Sequence, residues 1–151
     1  MRIDSTTAND IPALQVVLDQ TGLFPSEMLP DMIKPTLSGE SEAIWLTCHL
    51  EGVPVGLCFA RPEELTDGTW NMLAIAVLPS LQGKKVGTAL VQALESRLKS
   101  SGKRILIVDT SSNDEYALTR EFYVKNQYTE EARIRDFWAS GDDKIIYRKA
   151  L

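Results

Sequence analysis

Apolar positions along this chain change their spacing repeatedly, and each change marks an element. Leu14, Val17 and Leu18 recur at helical spacing over Asp10–Gln20, with Asp10 placed to cap and Pro12 in the first turn. Thr21-Gly22-Leu23-Phe24-Pro25 ends that helix. Met28, Leu29, Met32 and Ile33 outline a second helix over Ser26–Leu37, limited by Pro30 and Pro35. Ala43–Leu50 and Val53–Ala60 read as an antiparallel hairpin about Glu51-Gly52. Arg61–Gly68 is polar, contains Pro62 and reads as a loop; Thr69–Val77 is the next strand. Over Thr88–Lys99, Leu90, Val91, Leu94 and Leu98 share one helical face and Glu95 sits four before Lys99. Ser101-Gly102-Lys103 stops this helix. Arg104–Thr110 is apolar without alternation, as in a parallel strand covered on both faces. Asp114–Lys125 is a helix, and Tyr128–Trp138 and Lys144–Arg148 are strands around Ala139-Ser140-Gly141-Asp142. With Met1–Ser5 as the first strand, the order is β-α-α-β-β-β-α-β-α-β-β. That order predicts one α/β domain over residues 1–151, a mixed sheet of about seven strands with about four helices.

The junction between the Thr69–Val77 strand and the Thr88–Lys99 helix carries chemistry. It reads Val77-Leu78-Pro79-Ser80-Leu81-Gln82-Gly83-Lys84-Lys85-Val86-Gly87-Thr88. A strand that feeds a glycine-containing turn into a helix start presents amides with no intrahelical acceptor, at the positive end of the helix dipole. Lys84 and Lys85 add full charges. The ligand this suits is a pyrophosphate. A Walker loop is excluded by spacing, since Leu78 lies five before Gly83 and Val86 follows Lys85. No G-x-G-x-x-G follows a strand, which excludes a dinucleotide fingerprint.

Charge narrows the partners. The net charge is −5, so nucleic acid is not expected as a partner, and the local lysines suit a small anion. No apolar run approaches a bilayer span and the N-terminus has no apolar signal region, so a cytosolic protein without membrane contact is expected. Cys48 and Cys58 flank the hairpin turn. In a regular hairpin Cys48 pairs with Val55 and Cys58 with Trp45, which puts the two thiols on opposite faces and argues against a disulfide and for two small hydrophobes. His49 is the only histidine, so no metal is expected.

Val77, Pro79, Gln82 and Gly87 stand in the register of V-x-P-x-x-Q/R-x-x-G-x-G/A, and Gly83 adds a further glycine. The segment Thr119-Arg120-Glu121-Phe122-Tyr123-Val124-Lys125-Asn126-Gln127-Tyr128 is similar to A-x-x-F/L-Y-x-K-x-G-F. Together these resemble the acyl-CoA-binding and C-terminal motifs of the GNAT superfamily of N-acetyltransferases, over roughly half of the chain. The chain departs at Lys85, where the family usually has glycine. A helical φ is expected at this helix start, at no cost to lysine. The resemblance implies acetyl-CoA as cosubstrate. Ile75, Ala76 and Val77 would hold pantetheine through their backbone. Gln82, Gly83, Lys84, Lys85, Val86, Gly87 and Thr88 would hold the pyrophosphate. The asparagine that often opens the next helix falls at Tyr116, with Asn113 as its substitute.

Acetyl transfer to an amine requires a proton donor for the departing thiolate and a proton acceptor for the amine. By resemblance Tyr123 is the acid; as a residue it is equally a core tyrosine beside Phe122. The family's frequent glutamate falls at Asn71, which accepts no proton. Asp109, at the end of the parallel strand, is either the base or a cap for Ser111 and Ser112. Asp136, Asp142 and Asp143 read as an anionic patch for a cationic amine, or, for Asp142 and Asp143, as solvated turn residues. The acceptor would lie among Leu23, Phe24, Pro25, Phe137 and Trp138, residues that core packing explains as well. It is a small-molecule or protein amine. The alternative is a non-catalytic acyl-CoA-binding module, a sensor or partner subunit. The last strand is a candidate for pairing in a homodimer, by analogy with the family.

Overall fold

The computed structural model describes residues 1–151. Its strands are β1 (Arg2–Ser5), β2 (Ile44–Leu50), β3 (Val53–Pro62), β4 (Thr69–Val77), β5 (Ile105–Ser111), β6 (Thr129–Ala139) and β7 (Asp142–Ala150). Its helices are α1 (Ile11–Thr21), α2 (Leu29–Leu37), α3 (Val86–Ser100) and α4 (Ala117–Lys125). The sheet runs β1-β2-β3-β4-β5-β7-β6, and β4 with β5 is its parallel pair. The predicted order holds, with shifts of one to three residues at most ends. Arg61 and Pro62 extend β3 rather than starting the loop, and Ser26–Met28 is a short 3₁₀ turn leading into α2.

Each face of the sheet buries its own apolar layer. On one side Val86, Leu90, Val91, Leu94 and Leu98 of α3 and Tyr123 of α4 pack against Leu46, Cys58, Met72, Leu106 and Val108. On the other, Leu14, Val17 and Leu18 of α1 and Leu29 and Ile33 of α2 cover Trp45, Leu57 and Ala76. The close seating of α3 depends on Gly56. A Cβ there would lie 3.0 Å from the Ala76 carbonyl oxygen and 3.2 Å from Leu90 Cδ1.

Two extra residues redirect the strands. In β3, Cys48 pairs with Gly56 and His49 with Pro54, so Val55 is a bulge. This slips the predicted register: Cys58 lies opposite Leu46, not Trp45, and both cysteines face α3 in the same core. Both are free thiols, as expected, and burial pushes Cys58 up to about 12. In β4, Phe59 pairs with Ala74 and Ala60 with Met72, leaving Leu73 as the extra residue.

Asp10 does not cap α1 as expected. Its carboxylate turns back to accept from the Thr7 amide at 2.9 Å and meets His49 Nε2 at 2.8 Å in a buried pair. The reason is the preceding 3₁₀ turn Ala8–Asp10, which makes Thr7 the cap and Asp10 the closing residue of a capping box.

Candidate active site

The bulge at Leu73 opens the sheet. β4 and β5 are paired from Thr69↔Ile105 to Met72↔Val108, and no pair follows, although β4 continues to Val77 and β5 to Ser111. Beyond Leu73, β4 is paired on its β3 side alone. The Leu78 amide donates to Val55 O at 2.9 Å, so by alternation Ala76 also faces β3, while Ile75 directs its N–H and C=O, and Val77 its N–H, into the open seam; Val77 O accepts from Gln82 Nε2 at 3.3 Å. A linear molecule with amide groups has there a free strand edge to pair with.

The seam leads to the turn before α3. In that turn the amides of Gly83, Lys85, Val86, Gly87 and Thr88 donate to nothing in the chain; the first helical bond is Ala89 N–H to Lys85 O. These donors converge at a helix N-terminus, where the dipole favours an anion. Neither Lys84 nor Lys85 enters an ion pair. The expectation for Lys85 backbone is overturned: its φ is +66° and ψ +13°, a left-handed conformation like that of Gly83 at φ +79°. The chain must reverse hand here to aim successive amides at one point, and lysine carries strain of about 1–2 kcal/mol to do so. Gly87 serves packing. A Cβ on it would lie 3.3 Å from two Phe122 ring carbons, so its bareness lets α4 close on α3.

Around the seam and turn is a cleft of about 580 Å³. Ile75, Ala76, Val77, Gln82, Gly83, Lys85, Gly87, Thr88 and Tyr116 line it, as do Thr21–Leu23 at the end of α1 and Leu118, Thr119 and Phe122 of α4. Of the residues expected there, Lys84 is exposed outside the lining, and the Val86 side chain is buried beneath it. Asn113 is also elsewhere: its Nδ2 donates to Asp142 Oδ2 at 3.2 Å and its carbonyl accepts from Arg120 at 2.8 Å.

Tyr123 lies within the core, its ring 5.3 Å from Phe122, 5.6 Å from Tyr128 and 5.8 Å from Tyr147. Its hydroxyl makes no hydrogen bond and is not among the sealed polar atoms without partners, which are Thr36 Oγ1, Trp45 Nε1, His49 Nδ1 and Asn71 Oδ1. Burial pushes its phenol well above the usual range, so it holds its proton at neutral pH.

On the α1/α2 face, Asp109 lies two residues before the end of β5, beside the seam. It caps neither Ser111 nor Ser112; Lys144 Nζ pairs with it at 3.2 Å and lies 4.3 Å from the Phe137 ring centroid. Asp142 and Asp143 are not solvated turn residues. Asp142 accepts from Ser111 and Asn113, while Asp143 takes Arg133 Nε at 2.6 Å and the Asp136 amide at 2.9 Å. The Asp136 amide, then Arg133, hold the Asp143 carboxyl below its ordinary range. These bonds fasten the β6–β7 hairpin over the end of β5. Of the aromatic residues expected at the acceptor side, Phe24 packs against the α1/α2 core, while Phe137 and Trp138 stay half exposed. Sequence reasoning missed Lys144, near the start of β7, and Glu63, in a segment read as loop; Asn71 Nδ2 donates to Glu63 Oε1 at 2.9 Å.

Comparison with known proteins agrees with this geometry. Among curated proteins, none matches the chain in sequence. A GNAT-family protein of solved structure from Desulfovibrio desulfuricans is 27% identical with a TM-score of 0.89, over 99% of this chain and 98% of that one. An aminoglycoside 6′-N-acetyltransferase complexed with coenzyme A is 20% identical, with a TM-score of 0.81 over 99% and 97% of the two chains. The ribosomal-protein-alanine N-acetyltransferase from Brucella melitensis is 16% identical, with a TM-score of 0.81 over 100% of both. The model of the GNAT acetyltransferase family matches residues 13–128. A split parallel pair, a turn of free amides and that match over most of the chain place this protein in the GNAT family of acetyltransferases.

Proposed function

We propose that this protein moves an acetyl group from acetyl-CoA to a primary amine by direct attack on the thioester. The observation that carries this reading is the seam between β4 and β5, which runs without interruption into a turn of unsatisfied amides. Pantetheine is a chain of amides, and Ile75 and Val77 offer it a strand edge. The diphosphate falls to the amides of Gly83 and Lys85–Thr88, with Lys84 and Lys85 adding charge. The extended cosubstrate would lie in the cleft of about 580 Å³ between Thr21–Leu23 and α4.

In the transfer, the amine nitrogen attacks the carbonyl carbon and the C–S bond breaks. Tyr123 is the proposed donor to the sulfur. Tyr123 carries its proton at neutral pH and donates a hydrogen bond to the developing thiolate; the burial that raises the phenol opposes transfer, so the proton passes only once negative charge has built on sulfur. Phe137 and Trp138 frame the acceptor. The last strand, expected to pair in a homodimer, is β7, which lies between β5 and β6 and has no free edge; the edge strand β6, whose 11 residues are all exposed, takes its place as the proposed contact.

Thiol release from acetyl-CoA, followed with an aromatic disulfide reagent, tests the reading. The amines are phenethylamine, spermidine, an aminoglycoside and a peptide with a free N-terminal alanine. Acetylation of at least one supports it. Tight acetyl-CoA binding with no release for any would favour the acyl-CoA-binding module instead. The Asp109–Lys144 pair and the absence of a carboxylate at Asn71 are the observations on that side.

A further inference from the structure

We infer that Glu63 is the group that receives the acceptor amine's proton, and that Asn71 positions it. The inference rests on the transferase reading and adds the base that reading lacks. Trp70 and Met72 point into the α3-side core, so Asn71 between them faces the α1/α2 side; Leu106 and Val108 set Asp109 on that same side. These two side chains border the point where the strands part. An amine reaches it as an ammonium at neutral pH and must find negative charge and lose a proton before it attacks.

Two carboxylates stand on this face, and their surroundings differ. Asp109 is compensated by Lys144 at 3.2 Å. Glu63 enters no ion pair; its side chain is held by Asn71 Nδ2 at 2.9 Å. Its position is built into the strand. Arg61↔Asn71 and Pro62↔Trp70 continue the β3–β4 pairing, and Glu63 N–H donates to Thr69 O at 2.8 Å. Thr66 Oγ1 closes the turn on Glu63 O at 2.9 Å. Alternation from Arg61 brings Glu63 to the face of Asn71. Asn71 is 6% exposed, its donor is committed to Glu63, and its sealed Oδ1 has no partner in the chain. Asn71 thus commits its donor to Glu63 while its own Oδ1 stays sealed from any ligand, so its part is to hold in place a half-buried carboxylate that enters no ion pair.

The proton balance closes. Glu63 takes one proton from the ammonium, directly or across one water, and the free amine attacks the thioester. The second N–H proton leaves as the amide forms, and Tyr123 supplies the proton on sulfur. Exchange with solvent restores Glu63 and Tyr123. Overall the ammonium gives up two protons, one ending on the thiol and one in solvent.

The test uses the best amine of the panel above. The charged groups sharing this face are Arg61, Asp109, Lys144 and Arg148, while α1 and α2 bury apolar side chains toward the sheet. Glu63→Gln is expected to lower kcat/KM for the amine by about 10²-fold near neutral pH and to remove the acidic limb of the pH–rate profile. Acetyl-CoA affinity by calorimetry and the thermal midpoint should not change, which separates loss of a base from loss of fold. Asn71→Ala should lower kcat/KM and keep the limb. Wild-type kcat/KM in Glu63→Gln, or an acidic limb that survives there and vanishes in Asp109→Asn, overturns the assignment. Failure of the transferase reading looks different: the wild-type protein itself would release no thiol.

Discussion

Replacing Lys85 by glycine and, separately, by alanine isolates the backbone cost of the phosphate-facing turn. Both substitutions remove the same charge and the same exposed side chain. Only glycine adopts φ +66° without a Cβ clash. The left-handed conformation costs an L-residue about 1–2 kcal/mol. Glycine gives back about 0.5–1 kcal/mol through the greater freedom of its unfolded chain. The difference leaves Lys85→Gly more stable than Lys85→Ala by about 0–1.5 kcal/mol, centred on about 0.75, or roughly 2 °C in melting temperature for a chain of this size. Urea denaturation of the two variants, with equal m-values as the check on two-state behaviour, measures it. An alanine variant more stable than the glycine variant would mean that this residue is not left-handed in solution, and the convergence of amides at the turn would lose its basis.

Other outcomes follow from individual contacts. Tyr123→Phe should lower turnover by about 10²-fold while leaving acetyl-CoA affinity and the melting midpoint near wild type, because the hydroxyl has no hydrogen bond to lose. Tyr128→Phe should do the reverse. Its hydroxyl donates to Glu95 Oε2 at 2.7 Å, beside the Glu95–Lys149 pair, and losing a bond to a charged group costs about 1.5–3 kcal/mol, read by urea denaturation with little change in turnover. Burial alone would raise the Asp10 carboxyl, but the Thr7 amide and then His49 outweigh it and hold it below its usual value. Its contribution is therefore present above pH about 4 and lost as pH falls through the lower folded value, so Asp10→Asn should flatten the acid limb of stability against pH.

The sequence carried the element order because helices and buried strands leave distinct apolar periods, and Leu90, Val91, Leu94 and Leu98 could belong to nothing else. The turn after Val77 was legible for a related reason: glycines and lysines between a strand and a helix have few other uses. The bulges were not legible. Val55 and Leu73 sit in apolar runs where an inserted residue leaves no mark, and each shifts the register beyond it. The Cys48 and Cys58 facing was misread for that reason, while the family's pattern alone pointed to the backbone of Ile75, Ala76 and Val77 as the place for pantetheine. The backbone of Lys85 was misjudged because only the path from Gly83 into α3 demands a left-handed residue there. Asp142 and Asp143 read as turn residues because their partners Ser111, Asn113 and Arg133 are distant in sequence or across the hairpin. Glu63 was invisible for the same cause: its meaning comes from Asn71 on the next strand.

The measurement that bears most directly on the account is an amide-resolved NMR titration of the labelled protein with acetyl-CoA. The account predicts that the amides of Ile75 and Val77 and of Gly83 through Thr88 shift together, saturably and with one affinity, while equimolar ATP leaves Ile75 and Val77 unmoved. Saturable binding that shifts other amides and spares the seam and the turn would contradict it.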